Sequence, residues 1–143
     1  MYRFLECKVH DYMTSPVRTV TRQVTMRELE DLFEKYDFNA FPVAEEGKLL
    51  GIVTKFDFLR AFAFTTGQVV PHYDELMERT VREVMTKEVV HVEQTAPLAR
   101  VLYMMMELKS RSFPVLGPGN ELLGMISRDD VMRALRVSTE EPC

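Results

Sequence analysis

Apolar positions along the chain change period in a fixed order, and that order occurs twice. Val17-Arg18-Thr19-Val20 and Val89-Val90-His91-Val92 are short and rich in β-branched residues, as strands are. Met26, Leu29, Leu32, Phe33 and Tyr36 then recur at helical spacing, with Thr25 and Glu28 placed as a capping box. Leu98, Val101, Leu102, Met105 and Leu108 do the same behind Pro97, a residue that the first turn of a helix tolerates. Next come two apolar runs, Ala40-Phe41-Pro42-Val43-Ala44 and Phe113-Pro114-Val115-Leu116. Each leads into a turn (Glu45-Glu46-Gly47-Lys48, or Gly117-Pro118-Gly119-Asn120) and then into Leu49-Leu50-Gly51-Ile52-Val53 or Leu122-Leu123-Gly124-Met125-Ile126. That is the pattern of a hairpin. A last helix opens after Thr54 and after Ser127, so each half predicts β-α-β-β-α.

The two halves are copies. Setting residues 9–43 against 81–115, and 48–62 against 121–135, pairs 50 positions of which 14 are identical, where chance at typical residue frequencies gives about three. The identities include Met13-Thr14 with Met85-Thr86, Phe41-Pro42-Val43 with Phe113-Pro114-Val115, Asp57 with Asp130, and Arg60-Ala61 with Arg133-Ala134. An internal duplication follows, with repeats at 9–62 and 81–136 and a connector at 63–80. The connector carries a net charge of −2, which marks it as solvated, with breakers at Thr66-Gly67 and Pro71 and a short helix expected through Tyr73-Asp74-Glu75-Leu76-Met77. Neither repeat can bury all its helix and sheet faces alone, so the expected fold class is α/β (α+β), two repeats packed about a pseudo-twofold axis.

Composition narrows the class of function. The 143 residues carry 46% hydrophobic and 28% charged side chains with six Gly and seven Pro, which excludes collagen-like, low-complexity and wholly disordered chains. No apolar run approaches the ~20 residues that cross a bilayer, and Glu6 and Lys8 interrupt the N-terminus before a leader of the usual length can form, so a cytoplasmic protein is expected. Eighteen Lys and Arg against 22 Asp and Glu leave no cationic excess for a polyphosphate backbone, which argues against nucleic acid as the main partner. Cys7 and Cys143 form no metal-ligand or disulfide-framework spacing and read as free thiols.

The order Val-x-x-x-Met-Thr, Val-rich strand, helix, Phe-Pro-Val, then Leu-Leu-Gly-h-h-[Thr/Ser]-x-x-Asp (h, hydrophobic) resembles the CBS domain, and two in tandem resemble a Bateman module. The resemblance covers about three quarters of the chain and implies a stand-alone regulatory pair that binds an adenosyl ligand (AMP, ADP, ATP or S-adenosylmethionine) in clefts between the copies, with no catalysis and no required cofactor. It carries the family's ribose-contacting carboxylate to Asp57 and Asp130 and its hydroxyl to Thr54 and Ser127. It also implies that each site borrows the first strand of the opposite copy, Thr19-Val20-Thr21 completing Asp130 and His91-Val92-Glu93 completing Asp57. Physical chemistry makes such a role workable, because a helix starting after 54 or 127 offers unpaired N–H groups to a phosphate, and a carboxylate in the first turn can accept from ribose hydroxyls. The same [Ser/Thr]-x-x-Asp pattern is also a capping box, whose whole role is to start a helix, so capping and ligand contact both stand.

The copies differ where a phosphate would lie. Where the family often places a basic residue, three before the strand proline, the first copy has Asn39 and the second Arg111, and only arginine offers charge in a fork suited to phosphate. Lys55 and Arg128, directly after the hydroxyl residues, are further candidates. The first repeat sums to −2 and the second to +1, and Glu93 would repel a phosphate near Asp57, so the second copy is expected to be the better anion site. His10-Asp11 and the His91/Glu93 pair are too few for a metal site or a catalytic triad. Met104-Met105-Met106 and Phe56, Phe58, Phe62 and Phe64 suit either core filling or a partner surface, part of it spent on a homodimer. The competing reading is a structural dimerisation domain with empty clefts. An unidentified regulated protein is a further expected partner.

Overall fold

The Phe-Pro-Val and Leu-Leu-Gly runs form an antiparallel hairpin in each half: β1 (Ala40–Glu45) with β2 (Lys48–Thr54), and β3 (Ser112–Leu116) with β4 (Leu122–Ser127). The computed structural model describes residues 2–63, 73–138 and 143. Phe64, Thr66-Gly67 and Pro71 lie outside them. Glu46 and Gly47 make the first turn with φ of 53° and 77°, the left-handed pair that a two-residue hairpin requires. Both hairpins shift register at the same place, after Val43↔Gly51 and after Val115↔Gly124, leaving Leu50 and Leu123 as the extra residues of a bulge.

By their contacts the residues group into two units that are not the sequence repeats. One is residues 18–89; the other joins the segment up to Val17 to the segment from Val90 onward. The first unit holds α3 (Met26–Tyr36), the β1–β2 hairpin, α4 (Lys55–Arg60), α5 (Tyr73–Met77) and α6 (Val81–Val84). The Thr25–Glu28 capping box starts α3 as expected. Leu29 and Phe33 on its inner face pack with Val20, Phe41, Val43, Val53 and Val81. In the second unit, α1 (Tyr2–Glu6) and α2 (Val9–Tyr12) join α7 (Leu98–Leu108), the β3–β4 hairpin and α8 (Arg128–Val137). Phe4, Cys7 and Val9 are buried there with Leu98, Val101, Phe113, Val115 and Ile126.

The crossing of repeats and units occurs at the two Met-Thr segments. Thr86 bridges Ile52 of β2 through a pair of backbone hydrogen bonds (2.8 and 2.9 Å), and Thr14 bridges Met125 of β4 in the same way (2.8 and 3.0 Å). Gly51 and Gly124 permit this approach. A Cβ on Gly51 would lie 2.5 Å from the Thr86 carbonyl oxygen, and one on Gly124 would lie 2.6 Å from that of Thr14.

Three expectations are corrected. The strands read at 17–20 and 89–92 shrink to single parallel bridges, Val20 with Val43 and Val92 with Val115. Each bridge is made of two hydrogen bonds, such as Val20 N–H to Pro42 O and Ala44 N–H to Val20 O, both 3.0 Å. One step back along this ladder the donor would be the N–H of Pro42, or of Pro114 in the other copy, and proline has none, so the ladder stops. Secondly, Cys7 and Cys143 are not free thiols: they form a disulfide, with Cα atoms 5.3 Å apart across a sequence separation of 136. Spacing along the chain cannot reveal a pair brought together by packing of α1 into the second unit's core. Thirdly, the connector helix is not simply a solvated segment. Leu76 and Met77 are buried, Thr80 bridges Thr25, and Arg27 on α3 pairs with Asp74 and Glu78, both at 3.5 Å.

Candidate functional site

Each hairpin delivers its last strand directly into a helix, β2 into α4 and β4 into α8, and the junction residues Thr54 and Ser127 keep extended backbone (φ −110°, ψ 165°; φ −114°, ψ 167°). That geometry makes them N-caps. The Thr54 hydroxyl accepts from the Asp57 N–H at 3.0 Å while the Asp57 Oδ2 accepts from the Thr54 N–H at 3.0 Å. Ser127 and Asp130 repeat the exchange at 3.3 and 2.9 Å. The capping role is therefore fulfilled in both copies. It engages one carboxylate oxygen of each pair, Oδ2, and leaves the other for further partners.

Asp57 and Asp130 are 4% and 5% exposed, so what meets those oxygens matters. The Asp57 Oδ1 accepts from the guanidinium of Arg60 and, at 3.2 Å, from the hydroxyl of Thr86, which also lies 3.4 Å from Oδ2. Around Asp130 the partners differ. Its Oδ2 takes a second bond, from the Ser127 hydroxyl at 3.0 Å, and among the described residues its Oδ1 meets only Arg133, as an ion pair at 3.4 Å. Arg133 is shared, donating to the Tyr12 carbonyl at 3.0 Å with its guanidinium 5.5 Å from the Tyr12 ring centre. Neither arginine nor Thr86 is among the residues singled out from sequence. Their signal was present in the duplication, where Arg60 and Arg133, and Thr14 and Thr86, are identical pairs.

The remaining predicted residues fall into two groups. The backbone carbonyls of Asn39 and Arg111 accept the first N–H of the following helix, from Lys55 at 2.9 Å and Arg128 at 3.0 Å. The structure thus brings Arg111, Ser127, Arg128 and Asp130 together in one unit, and Asn39, Thr54, Lys55 and Asp57 in the other. Arg111 and Arg128 are exposed, and neither side chain has a partner among the described residues. The Lys55 ammonium lies 5.9 Å from the Phe33 ring. The strand segments form the second group. Val20 and Val92 are buried against their own hairpins, flanked by exposed Thr19 and Thr21 and by exposed His91 and Glu93.

Two other features bear on chemistry. A groove of about 460 Å³ between α3 and α4 is lined by Phe33, Phe58, Leu59, Lys55 and the acidic Glu30, Glu34 and Asp37, a charge balance that disfavours a phosphate. Arg22 donates through Nε and Nη2 to Glu45, at 2.6 and 3.3 Å; this hydrogen bond holds the Glu45 carboxyl below the usual carboxylate range and raises the guanidinium. Among the described residues no group of three His, Cys, Asp or Glu side chains is placed to hold a metal. No helix among them is long and apolar enough to cross a membrane.

The model of the CBS domain matches residues 9–64 and 81–137. An uncharacterized protein of Methanocaldococcus jannaschii, MJ0188, is 33% identical over 132 residues, covering 91% of this chain and 44% of its own length. The chain spans less than half the length of the first curated relatives it matches. Among solved structures, CBSX2 of Arabidopsis thaliana in complex with AMP superposes with a TM-score of 0.78 at 22% identity, covering 93% of this chain and 98% of that one. The CBS domain pair of protein MJ0100, in complex with 5'-methylthioadenosine and S-adenosyl-L-methionine, gives 0.72 at 23% identity, with coverages of 92% and 97%. These two likenesses are of fold.

Proposed function

The chain belongs to the CBS domain family, with the domain present twice, and from that premise we propose that it is a regulatory sensor that binds an adenosyl ligand without making or breaking a bond. The observation that carries the reading is the state of Asp130. A carboxylate 5% exposed, fixed at a helix start by Ser127, has one oxygen, Oδ1, that accepts no hydrogen bond among the described residues and meets Arg133 as an ion pair at 3.4 Å. A ribose hydroxyl supplies the missing donor. The opening turn of the ten-residue α8 offers N–H groups and a positive dipole end to phosphate, and Arg111 and Arg128 stand beside it with no side-chain partner among the described residues. That AMP, 5'-methylthioadenosine and S-adenosyl-L-methionine occur with chains of this fold supports the ligand class.

A homodimer forms part of the reading. Tyr103, Met106 and Met132 on α7 and α8 are 63%, 70% and 63% exposed, and apolar side chains of that size gain most from burial against another copy. A purely structural dimerisation domain uses the same surface and needs no ligand. One thermal-shift panel separates the two. AMP, ADP, ATP and S-adenosylmethionine are expected to raise the melting temperature, a ligand at 100 times its Kd contributing about 2.7 kcal/mol, and Asp130→Asn, which keeps an acceptor for the cap, is expected to abolish the shift. No shift with any adenosyl ligand at millimolar concentration refutes the sensor, as does consumption of ATP.

A further inference from the structure

We infer that Thr86 is an internal occupant of the Asp57 carboxylate: its hydroxyl takes the place a ribose hydroxyl would need, so the chain has one adenosyl site, at Asp130, and not two. The inference rests on the adenosyl reading above and fixes which of the duplicated carboxylates can serve it.

Acceptor use carries the argument. Both aspartates hold the same capping position and are equally buried, so they differ only in what reaches their remaining lone pairs. At Asp57 the Thr54 N–H, the Arg60 guanidinium and the Thr86 hydroxyl are all donors, and the single Thr86 proton is shared between the two oxygens at 3.2 and 3.4 Å. At Asp130 the Ser127 N–H and hydroxyl both donate to Oδ2 and Arg133 pairs with Oδ1 at 3.4 Å, so that among the described residues no hydroxyl reaches Oδ1. Thr14 is the repeat counterpart of Thr86 and is bonded to β4 as Thr86 is to β2, yet its hydroxyl makes no hydrogen bond to Asp130 among the described residues. Thr86 cannot drift away, because two backbone hydrogen bonds to Ile52 fix its Cα and leave χ1 as the one freedom. A β-branched side chain has few rotamers to use. An incoming ribose therefore competes with a hydroxyl that loses no translational freedom on binding. The duplication has left two carboxylates that look alike in sequence and are unlike in availability.

Calorimetric titration of the full chain with AMP and, separately, S-adenosylmethionine tests this. Wild type is expected to bind one equivalent per chain, lost in Asp130→Asn and kept in Asp57→Asn. Thr86→Val keeps the branched shape and removes the hydroxyl; a second, weaker equivalent is expected there, and Asp57→Asn in that background is expected to remove it. Thr86→Ser retains the donor and is expected to stay at one equivalent, and Thr86→Ala serves if the valine variant fails to fold. Two equivalents in wild type, or one equivalent in both Thr86→Val and Thr86→Ala, overturn the inference while leaving the sensor reading intact. No binding by wild type or by any Thr86 variant overturns both.

Discussion

Replacing Gly124 with alanine tests whether the docking of the Met-Thr segment onto β4 holds the second unit together. The added methyl would sit 2.6 Å from the Thr14 carbonyl oxygen and 3.2 Å from the Met13 sulfur, against an ordinary carbon-to-oxygen contact of ~3.3–3.6 Å. The strand or the segment must therefore yield by most of an ångström. If the segment moves, the bonds between Thr14 and Met125 at 2.8 and 3.0 Å are lost, at about 1 kcal/mol each. If it stays, the overpacking costs a similar 1–3 kcal/mol. The two routes bracket a loss of about 1–3 kcal/mol, which for a chain of this size lowers the melting temperature by roughly 3–12 °C. Urea unfolding followed by circular dichroism measures it directly. Met13→Ala in the Gly124→Ala background removes the sulfur contact but not the carbonyl one, so it is expected not to restore stability. A Gly124→Ala protein within about 0.5 kcal/mol of wild type, a change typical of an unconstrained surface position, would show that the close approach is not structural.

Three further outcomes are expected. Arg111→Ala should weaken ATP binding more than AMP binding, by about tenfold for a lost charge-assisted bond, and equal losses for both ligands in calorimetry would remove Arg111 from the phosphate site. Because the bond from Arg22 lowers the Glu45 carboxyl in the folded protein, its stabilisation is complete above the ordinary carboxylate range and is lost as pH falls through the lowered folded value; Glu45→Gln should flatten the acid limb of a melting-temperature profile below pH 5, and an unchanged limb would contradict the assignment. Light scattering at tens of micromolar should give twice the 16.6 kDa chain mass, Met106→Glu should shift the mass toward the monomer, and a wild-type mass of one chain refutes the dimer.

Much of this was legible because a duplication reads its own pattern twice. The helices at 26–36 and 98–108, both hairpins and both [Ser/Thr]-x-x-Asp starts follow from local periodicity and capping chemistry, which act over a few residues. What escaped was set by neighbours far along the chain. Val17-Arg-Thr-Val20 has strand propensity, but its ladder length was decided by Pro42, more than twenty residues away. Thr86 reaches Asp57 across a separation of 29, and Cys7 reaches Cys143 across the whole chain. The Asp57 and Asp130 positions were readable as candidates, whereas the donors that distinguish them were not.

The exchange of Met-Thr segments sets a rule for how such a chain can grow or shrink. The stretch that is repeated in sequence and the stretch that folds together are out of phase by about ten residues: one hairpin is closed by residues that follow it, the other by residues that open the chain. Deleting either copy at its sequence boundary removes the bridging Met-Thr segment of the copy that remains and bares Gly51 or Gly124 together with the N–H and C=O of Ile52 or Met125. A single copy is therefore not a smaller version of the protein but an unfinished one. Inheritance acting on this architecture is expected to preserve copies in twos, and the residues that enforce the pairing are a glycine and a threonine rather than any group that touches a ligand.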